Sequence, residues 1–380
     1  MTKLNKKRMS FGGIVAVIGS VLISVGIAWL IAQNWHYIPA PLKIIILILA
    51  TSSAYVFGTM LRVRGYYGIG KALLVLGALL YTLSIFLIAQ IFSTSTDFQG
   101  MAWLLLLAWI GVFVTAYLFE SSASLVVALL EFLVWLVIQF FAFTEGFREM
   151  ISPGILAFYF LVTGVLVYGL SLWHRAKKQS FARLYQWWTA FYFLAFTYLL
   201  SSQTLLPMMW PKEATTLTPS IVFLLFLLII SLVALISGIM VSISKRTVTS
   251  KEIGGMFAIV TVLAALIGLT SFVSSERWGL WGGYRTIPLN LWALWIFINI
   301  VFILIILAVI GYGSWQRSSK IINLGIVFFA LDIFTKYMGF VIGFRGYVGL
   351  SVIFIIGGII LLVGGWSIEK WRRKLIAQAT

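Results

Sequence analysis

The chain has 380 residues, of which 62% are hydrophobic and 10% are charged, and its mean hydropathy is +1.08. Soluble domains carry about 25% charged residues, so this composition excludes a soluble globular protein, whose surface it could not cover with polar groups. The net charge is +17, and the absence of cysteine excludes disulfides, thiolate nucleophiles and cysteine-ligated zinc.

Apolar segments long enough to cross a bilayer follow one another along the whole chain. A helix needs about 20 apolar residues to cross about 30 Å of hydrocarbon. Twelve segments meet this requirement, at residues 11–33, 43–61, 71–92, 101–119, 121–143, 152–173, 184–201, 220–241, 254–274, 288–312, 320–343 and 348–366. The first is longer than the core of a signal peptide, which has about 7–15 residues, so we interpret it as an uncleaved span. We therefore predict an all-α, polytopic transmembrane helix bundle that forms a single membrane domain over residues 1–380.

The basic residues test this assignment, because cytoplasmic loops carry an excess of Lys and Arg. With the N-terminus inside, the inner segments hold 20 of the 27 basic residues, the outer loops hold 6, and Lys336 lies within a span. This bias predicts a protein of the cell membrane with both termini in the cytoplasm. It also explains the high pI without a nucleic-acid partner. The basic inner loops would contact anionic lipid headgroups. A membrane-protein partner and a homo-oligomer are further alternatives.

A weak internal repeat occurs in the first third of the chain. Leu30-Ile31-Ala32-Gln33 ends the first predicted span and Leu87-Ile88-Ala89-Gln90 ends the third, 57 residues later. The repeat indicates duplicated helical hairpins within residues 11–119. Gln33 and Gln90 both fall at outer span ends, which makes them polar candidates for a binding site.

Three charged residues lie deep in predicted spans: Glu131, Asp332 and Lys336. A charge at the bilayer centre costs about 2.5–3.5 kcal/mol on insertion scales, so each needs compensation. Asp332 and Lys336 are spaced i, i+4 and share a helix face. They are either a proton or ion relay, or a site for a charged cargo, or a self-neutralised pair that fixes helix packing.

Glu131 has no basic residue in its own span. It is therefore either protonated, because a carboxylate loses its hydration in hydrocarbon, or paired across helices. Lys336 is a candidate partner, since both residues lie near the middle of their spans.

Catalytic motifs are absent from the sequence. It contains no His-Glu-x-x-His, no Ser-His-Asp set and no glycine-rich phosphate loop. The two histidines, His36 and His174, fall on opposite sides of the membrane and cannot share one metal ion. We expect no catalytic residue, no metal and no cofactor, and hence no enzyme.

Three stretches resemble one family: residues 31–43 with Ile31-Ala32-Gln33-Asn34-Trp35, residues 70–97 with Ala89-Gln90-Ile91, and the C-terminal part with Asp332-Ile333-Phe334 and Arg372-Arg373. They are similar to the uncharacterised prokaryotic integral membrane proteins of the domain of unknown function 2157 family. The resemblance covers about residues 11–110 and 320–376. It implies a membrane location and assigns no activity.

Two functions from different classes remain. The spans and buried charges favour a transporter-, flippase- or channel-like membrane protein. The alternative is a non-transporting membrane scaffold or regulator of a cell-envelope assembly, because no predicted span has a proline at its middle to break the helix, as many transporters do.

Overall fold

The structure is a computed structural model, and it describes residues 29, 33, 37–92, 97–147, 153–175, 177–202, 218–271 and 289–344. The predicted span 348–366 and most of span 11–33 lie outside these residues, as does the first half of the predicted repeat apart from Gln33. The chain divides into two compact units, Met1–Arg148 and Glu149–Thr380. The prediction of one domain over residues 1–380 stays a prediction.

Unit 1, residues 1–148, contains four described helices joined by short connections. They are α1 (Ala40–Val63), α2 (Tyr67–Ile91), α3 (Phe98–Leu118) and α4 (Ser122–Phe147). Asp97 caps α3 by accepting a hydrogen bond from the backbone nitrogen of Gly100 at 2.8 Å. Gly65, with φ of +88°, forms the turn between α1 and α2, where an L side chain would be strained.

Arg62, in the last turn of α1, donates to the main-chain carbonyl of Phe119, just beyond the end of α3. Free carbonyls at a helix C-terminus attract cations. The C-terminal ends of α1 and α3 therefore lie at the same end of unit 1, as the alternation of spans predicts.

Unit 2, residues 149–380, contains six described helices. They are α5 (Pro153–Arg175), α6 (Gln179–Ser201), α7 (Pro219–Ser244), α8 (Ser250–Ser271), α9 (Leu289–Trp315) and α10 (Ser319–Phe344). Pro153 and Pro219 begin their helices, where the missing N–H costs nothing.

Close helix approach in unit 2 depends on glycine. A Cβ built on Gly169 of α5 would lie 2.5 Å from the backbone carbon of Ala234 in α7. The Ser242 hydroxyl of α7 donates to the carbonyl of Leu172 in α5 at 3.0 Å, and the Ser231 hydroxyl lies 3.0 Å from the carbonyl oxygen of Val162 in α5 and 2.7 Å from that of Leu227 in its own helix. Small residues and serine hydroxyls are the usual means of joining helices in lipid.

The described residues form ten helices and no strand, and nine of these helices are long and apolar enough to cross a membrane. They match nine of the predicted spans. The tenth helix, α6, is present where we predicted the span 184–201, but it is not among the nine.

The burial of α6 explains this difference. The aromatic side chains of Tyr185, Tyr192 and Phe196 are fully buried, and the polar Gln186 and Thr189 are buried as well. Helices α5, α9 and α10 pack against it. A helix enclosed by protein does not need the apolar surface that lipid requires.

Candidate functional site

Glu131 is the buried acidic group of unit 1. It lies in the first half of α4 and is 8% exposed. One carboxyl oxygen, Oε1, is hydrogen-bonded to the hydroxyl of Thr82 in α2. The other, Oε2, is buried and has no hydrogen-bond partner in the part of the chain that the structure describes. An unsatisfied buried oxygen is destabilising, and more so when it is charged.

Hydroxyl groups link the other helices of unit 1. The Thr51 hydroxyl in α1 lies 3.3 Å from that of Ser84 in α2, and the Tyr55 hydroxyl in α1 lies 3.1 Å from that of Thr115 in α3. All four described helices of unit 1 thus contribute to a polar seam within an apolar bundle.

The predicted pair on α10 is present as an ion pair. Lys336 Nζ lies 3.7 Å from Oδ1 of Asp332, which is too far for a hydrogen bond. Oδ1 is buried and has no hydrogen-bond partner among the described residues. Electrostatic attraction to Lys336 therefore offsets the cost of burying the charge on this oxygen.

Lys336 also contacts the C-terminal end of α6. Its Nζ lies 2.5 Å from the carbonyl oxygen of Ser201 and 5.2 Å from the centre of the Trp295 indole ring. The Trp295 indole nitrogen donates to the same Ser201 oxygen at 3.0 Å. This cluster of Lys336, Ser201 and Trp295 joins α6, α9 and α10.

A second charged cluster in unit 2 was missed by the sequence analysis. Arg175, the last residue of α5, forms a bidentate ion pair with Glu252 in the first turn of α8, with Nη1 3.0 Å from Oε2. The Tyr312 hydroxyl of α9 donates to Glu252 Oε1 at 3.2 Å. Only 11% of the Arg175 side chain and 7% of the Glu252 side chain are exposed.

Gln186 of α6 completes this Arg175 cluster. With its amide oxygen facing Arg175, it accepts from Nη2 at 2.7 Å and from Nε at 3.0 Å. Four helices, α5, α6, α8 and α9, therefore meet at one charged centre. A signal was present in the sequence: Glu252 is an acidic residue within the basic segment that holds Lys245, Arg246 and Lys251.

The Arg175 cluster places three turns of unit 2 at the same end. These are the α5–α6, α7–α8 and α9–α10 turns, which carry residues that the sequence assigned to inner loops. Seven basic side chains at these turns are exposed: Lys177, Arg183, Lys245, Arg246, Lys251, Arg317 and Lys320. Lys177 Nζ lies 4.5 Å from the centre of the Trp173 ring. We call this the basic end of unit 2.

The remaining predicted candidates are placed as follows. Gln33 is exposed, and Gln90 is exposed in the last turn of α2. Glu131 lies in unit 1 and bonds Thr82, whereas Lys336 lies in unit 2 and pairs with Asp332. The pairing of Glu131 with Lys336 stays a prediction.

Comparison with known proteins bears on unit 1. Residues 1–125 match a family model described as predicted membrane protein, DUF2157. This is the family that residues 31–43 and 70–97 resembled. No curated protein and no solved structure matches the chain.

The DUF2157 match includes α1, α2 and α3, and with them Thr82, Tyr55 and Thr115. It ends before Glu131 and does not extend to residues 320–376, where the resemblance stays a prediction. Together with the nine candidate spans, the match makes this a multi-pass membrane protein.

Proposed function

We propose that this protein is a transporter-like membrane protein in which Glu131 binds and releases a proton. The observation that carries the proposal is the carboxyl group of Glu131, which lies buried in a candidate span. One of its oxygens is bonded to Thr82, and the other has no hydrogen-bond partner among the residues that the structure describes. Ionisable residues inside membrane spans are costly and mark ion pathways or proton relays. The proposed role is not enzymatic.

Proton binding gives such a carboxyl group a use in transport. Its protonated form is tolerated in hydrocarbon, while its ionised form requires water, a cation or a charged cargo nearby. Release of the proton would therefore favour a conformation that exposes Glu131. If that conformation also opens a cargo site, proton release and cargo movement are coupled.

Electrical measurements on proteoliposomes test the proposal. Liposomes with the full chain are adsorbed on a solid-supported membrane and exposed to pools of organic anions, organic cations, amino acids and sugars under a pH gradient. We expect a transient current with at least one pool. Glu131→Gln should abolish this current, whereas Gln99→Ala, at an exposed position in the first turn of α3 in the same unit, should retain it.

The alternative is a scaffold or regulator of a cell-envelope assembly, and the Arg175 cluster favours it. Its charged groups satisfy one another and connect four helices, as a purely structural centre would. A chain that gives no current with any pool, and no proton flux under an imposed gradient, would support this alternative over transport.

We also propose twelve spans in the cell membrane with both termini in the cytoplasm. The 20-to-6 distribution of basic residues supports this topology. Because the chain has no cysteine, single cysteines at Lys177 and Gln99 can be labelled with an impermeant maleimide in intact cells. Labelling at Gln99 alone, with a cytoplasmic reporter after Thr380, is expected. An external reporter would require an odd number of spans.

We propose anionic lipid headgroups as partners of the basic end of unit 2. Seven exposed cations at three adjacent turns provide the complementary charge. Native mass spectrometry should detect fewer bound phosphatidylglycerol molecules after Lys245, Arg246 and Lys251 are changed to Gln. The same spectra would reveal a homo-oligomer.

A further inference from the structure

Hydroxyl groups have a single hydrogen, and this limits the arrangement of hydrogen bonds in unit 1. The Thr115 hydroxyl lies 3.0 Å from the carbonyl oxygen of Val112 in its own helix and 3.1 Å from the Tyr55 hydroxyl. A carbonyl oxygen can only accept. Thr115 therefore donates to Val112, and the hydrogen between the two hydroxyls comes from Tyr55.

The Thr51–Ser84 contact follows the same rule. The Ser84 hydroxyl lies 2.7 Å from the carbonyl oxygen of Leu80, so it donates there and accepts from Thr51. In both contacts the hydroxyl bonded to its own helix backbone acts as the acceptor between helices.

Thr82 has the same two kinds of contact, with Glu131 as the interhelical partner. Its hydroxyl lies 3.1 Å from the carbonyl oxygen of Ala78 and also bonds Glu131 Oε1. If Thr82 donates to Ala78, the hydrogen shared with Glu131 must be supplied by the carboxyl group. A carboxyl group can donate only when it is protonated.

We infer that Glu131 carries a proton in this structure and donates it to Thr82, whose own hydroxyl hydrogen is held by the carbonyl of Ala78. Thr82 is thus a positioning residue that fixes the acid proton of Glu131 between α2 and α4.

The state of Oε2 decides which group supplies the hydrogen, because an ionised Glu131 that accepts from Thr82 would fit the same two contacts. Oε2 is buried and has no hydrogen-bond partner within the described ranges of the chain. On a carboxylate this oxygen would carry about half of a negative charge, which is far costlier to bury than the neutral carbonyl oxygen of a protonated acid. Besides Glu131, the titratable residue in the hydrogen bonds of this seam is Tyr55, whose phenol bonds Thr115.

The same geometry allows the proton to leave. Rotation of the Thr82 hydroxyl about its C–O bond turns its hydrogen from Ala78 to the carboxylate. Because the Ala78 carbonyl also accepts the helical N–H bond of Thr82, it keeps a donor after this rotation. Glu131 thus has a hydrogen-bond partner in either protonation state, as a reversible proton carrier requires.

This inference deepens the proposed function, on which its role in transport rests. It is tested by infrared spectroscopy of the carboxyl group itself, so it can fail or succeed separately from transport. The full chain in lipid nanodiscs is compared at neutral pH with Glu131→Gln. Their difference spectrum should contain the C=O stretch of a protonated carboxylic acid.

Three further variants test Thr82. Thr82→Val removes the hydroxyl at nearly constant shape and should move the Glu131 band to the frequency of a carboxyl group without a hydrogen bond. Thr82→Ser should restore the band to its original position. Thr115→Val removes a hydroxyl that bonds Tyr55 rather than Glu131, and it should leave the band unchanged.

Two results would overturn the inference. One is a difference spectrum between the wild type and Glu131→Gln that contains carboxylate bands and no protonated C=O band. This comparison does not depend on a Thr82 variant, so it is informative even if Thr82→Val does not fold. The other is a protonated band that Thr82→Val leaves in place, which would show that Thr82 does not hold the proton.

Discussion

Lys336 Nζ lies 2.5 Å from the carbonyl oxygen of Ser201, the last residue of α6. The final carbonyls of a helix have no intrahelical donor and carry the negative end of the helix dipole. The ammonium group of Lys336 therefore has two negatively polarised partners besides the Trp295 ring: the end of α6 and the carboxylate of Asp332, 3.7 Å away.

Unequal losses of stability are expected when the two charges are removed one at a time. Lys336→Met leaves the Asp332 carboxylate buried without a counter-ion, while Asp332→Asn leaves Lys336 bound to Ser201. Breaking a fully buried pair costs about 3–5 kcal/mol. Since 31% of the Lys336 side chain is exposed, we expect about 1–3 kcal/mol for Lys336→Met and less for Asp332→Asn.

The double variant completes this cycle. It should melt above Lys336→Met, because no buried charge remains and Trp295 still donates to Ser201. Melting temperatures in detergent measure all four proteins. A double variant that melts below both single variants would contradict a structural pair. A stable double variant without the transport current would give the pair a role in function.

Arg175 and Glu252 should be more sensitive than the α10 pair, because both side chains are nearly buried and their contact is bidentate. Glu252→Gln leaves the Arg175 guanidinium in a site built for a carboxylate, and we expect a loss of about 3 kcal/mol. Arg175→Met should cost a similar amount. Arg183→Gln, an exposed cation at the same end of unit 2, is the matched control and should change stability by about 0.5 kcal/mol or less.

Thermal unfolding followed by light scattering measures these variants. Unchanged melting of Glu252→Gln would mean that the bidentate contact adds no stability. A fall equal to that of Arg183→Gln would mean that only the surface charge matters.

Glycine substitutions should separate packing from helix propensity. Gly169→Ala would place a methyl group against the backbone of α7, 2.5 Å from Ala234, and neither backbone can yield without moving a helix. We expect a loss of about 1–3 kcal/mol. Gly311→Ala, where a Cβ meets nothing within 4 Å, should be neutral or stabilising by up to about 1 kcal/mol.

Melting temperatures of these two glycine variants, measured side by side, give the comparison. Equal effects would argue that α5 and α7 are not in backbone contact.

The sequence predicted local elements well because membrane spans are defined by their own length and hydrophobicity. The span predicted at 43–61 is the helix Ala40–Val63, and the Asp332–Lys336 pair follows from helical spacing alone. The serine and threonine contacts of unit 1 could not be predicted. A Ser or Thr side chain in a membrane helix can face lipid or bond a neighbouring helix, and its position in the sequence does not distinguish the two.

The Arg175–Glu252 pair shows the other limit. Both residues fall in segments that the sequence assigned to basic inner loops, and they are 77 positions apart in the chain. Only the packing of α5 against α8 brings them together. In the same way, hydrophobicity predicted a span at residues 184–201, where the helix α6 lies, but the burial of this helix by α5, α9 and α10 depends on helix order within unit 2.

Glu131→Gln should preserve the stability of the protein. A glutamine side chain has nearly the shape of a protonated glutamic acid, and its amide can donate to Thr82 as the acid proton does. We expect a change of about 1 kcal/mol or less in the free energy of unfolding.

Glu131→Leu, which removes the interhelical hydrogen bond, should cost more if Thr82 then loses its partner. Expression level and melting temperature of the two variants in detergent provide the measurement. An ionised Glu131 would need a positively charged partner, and a neutral glutamine could not neutralise that partner. If Glu131→Gln fails to fold while Glu131→Asp folds normally, Glu131 is charged and paired instead.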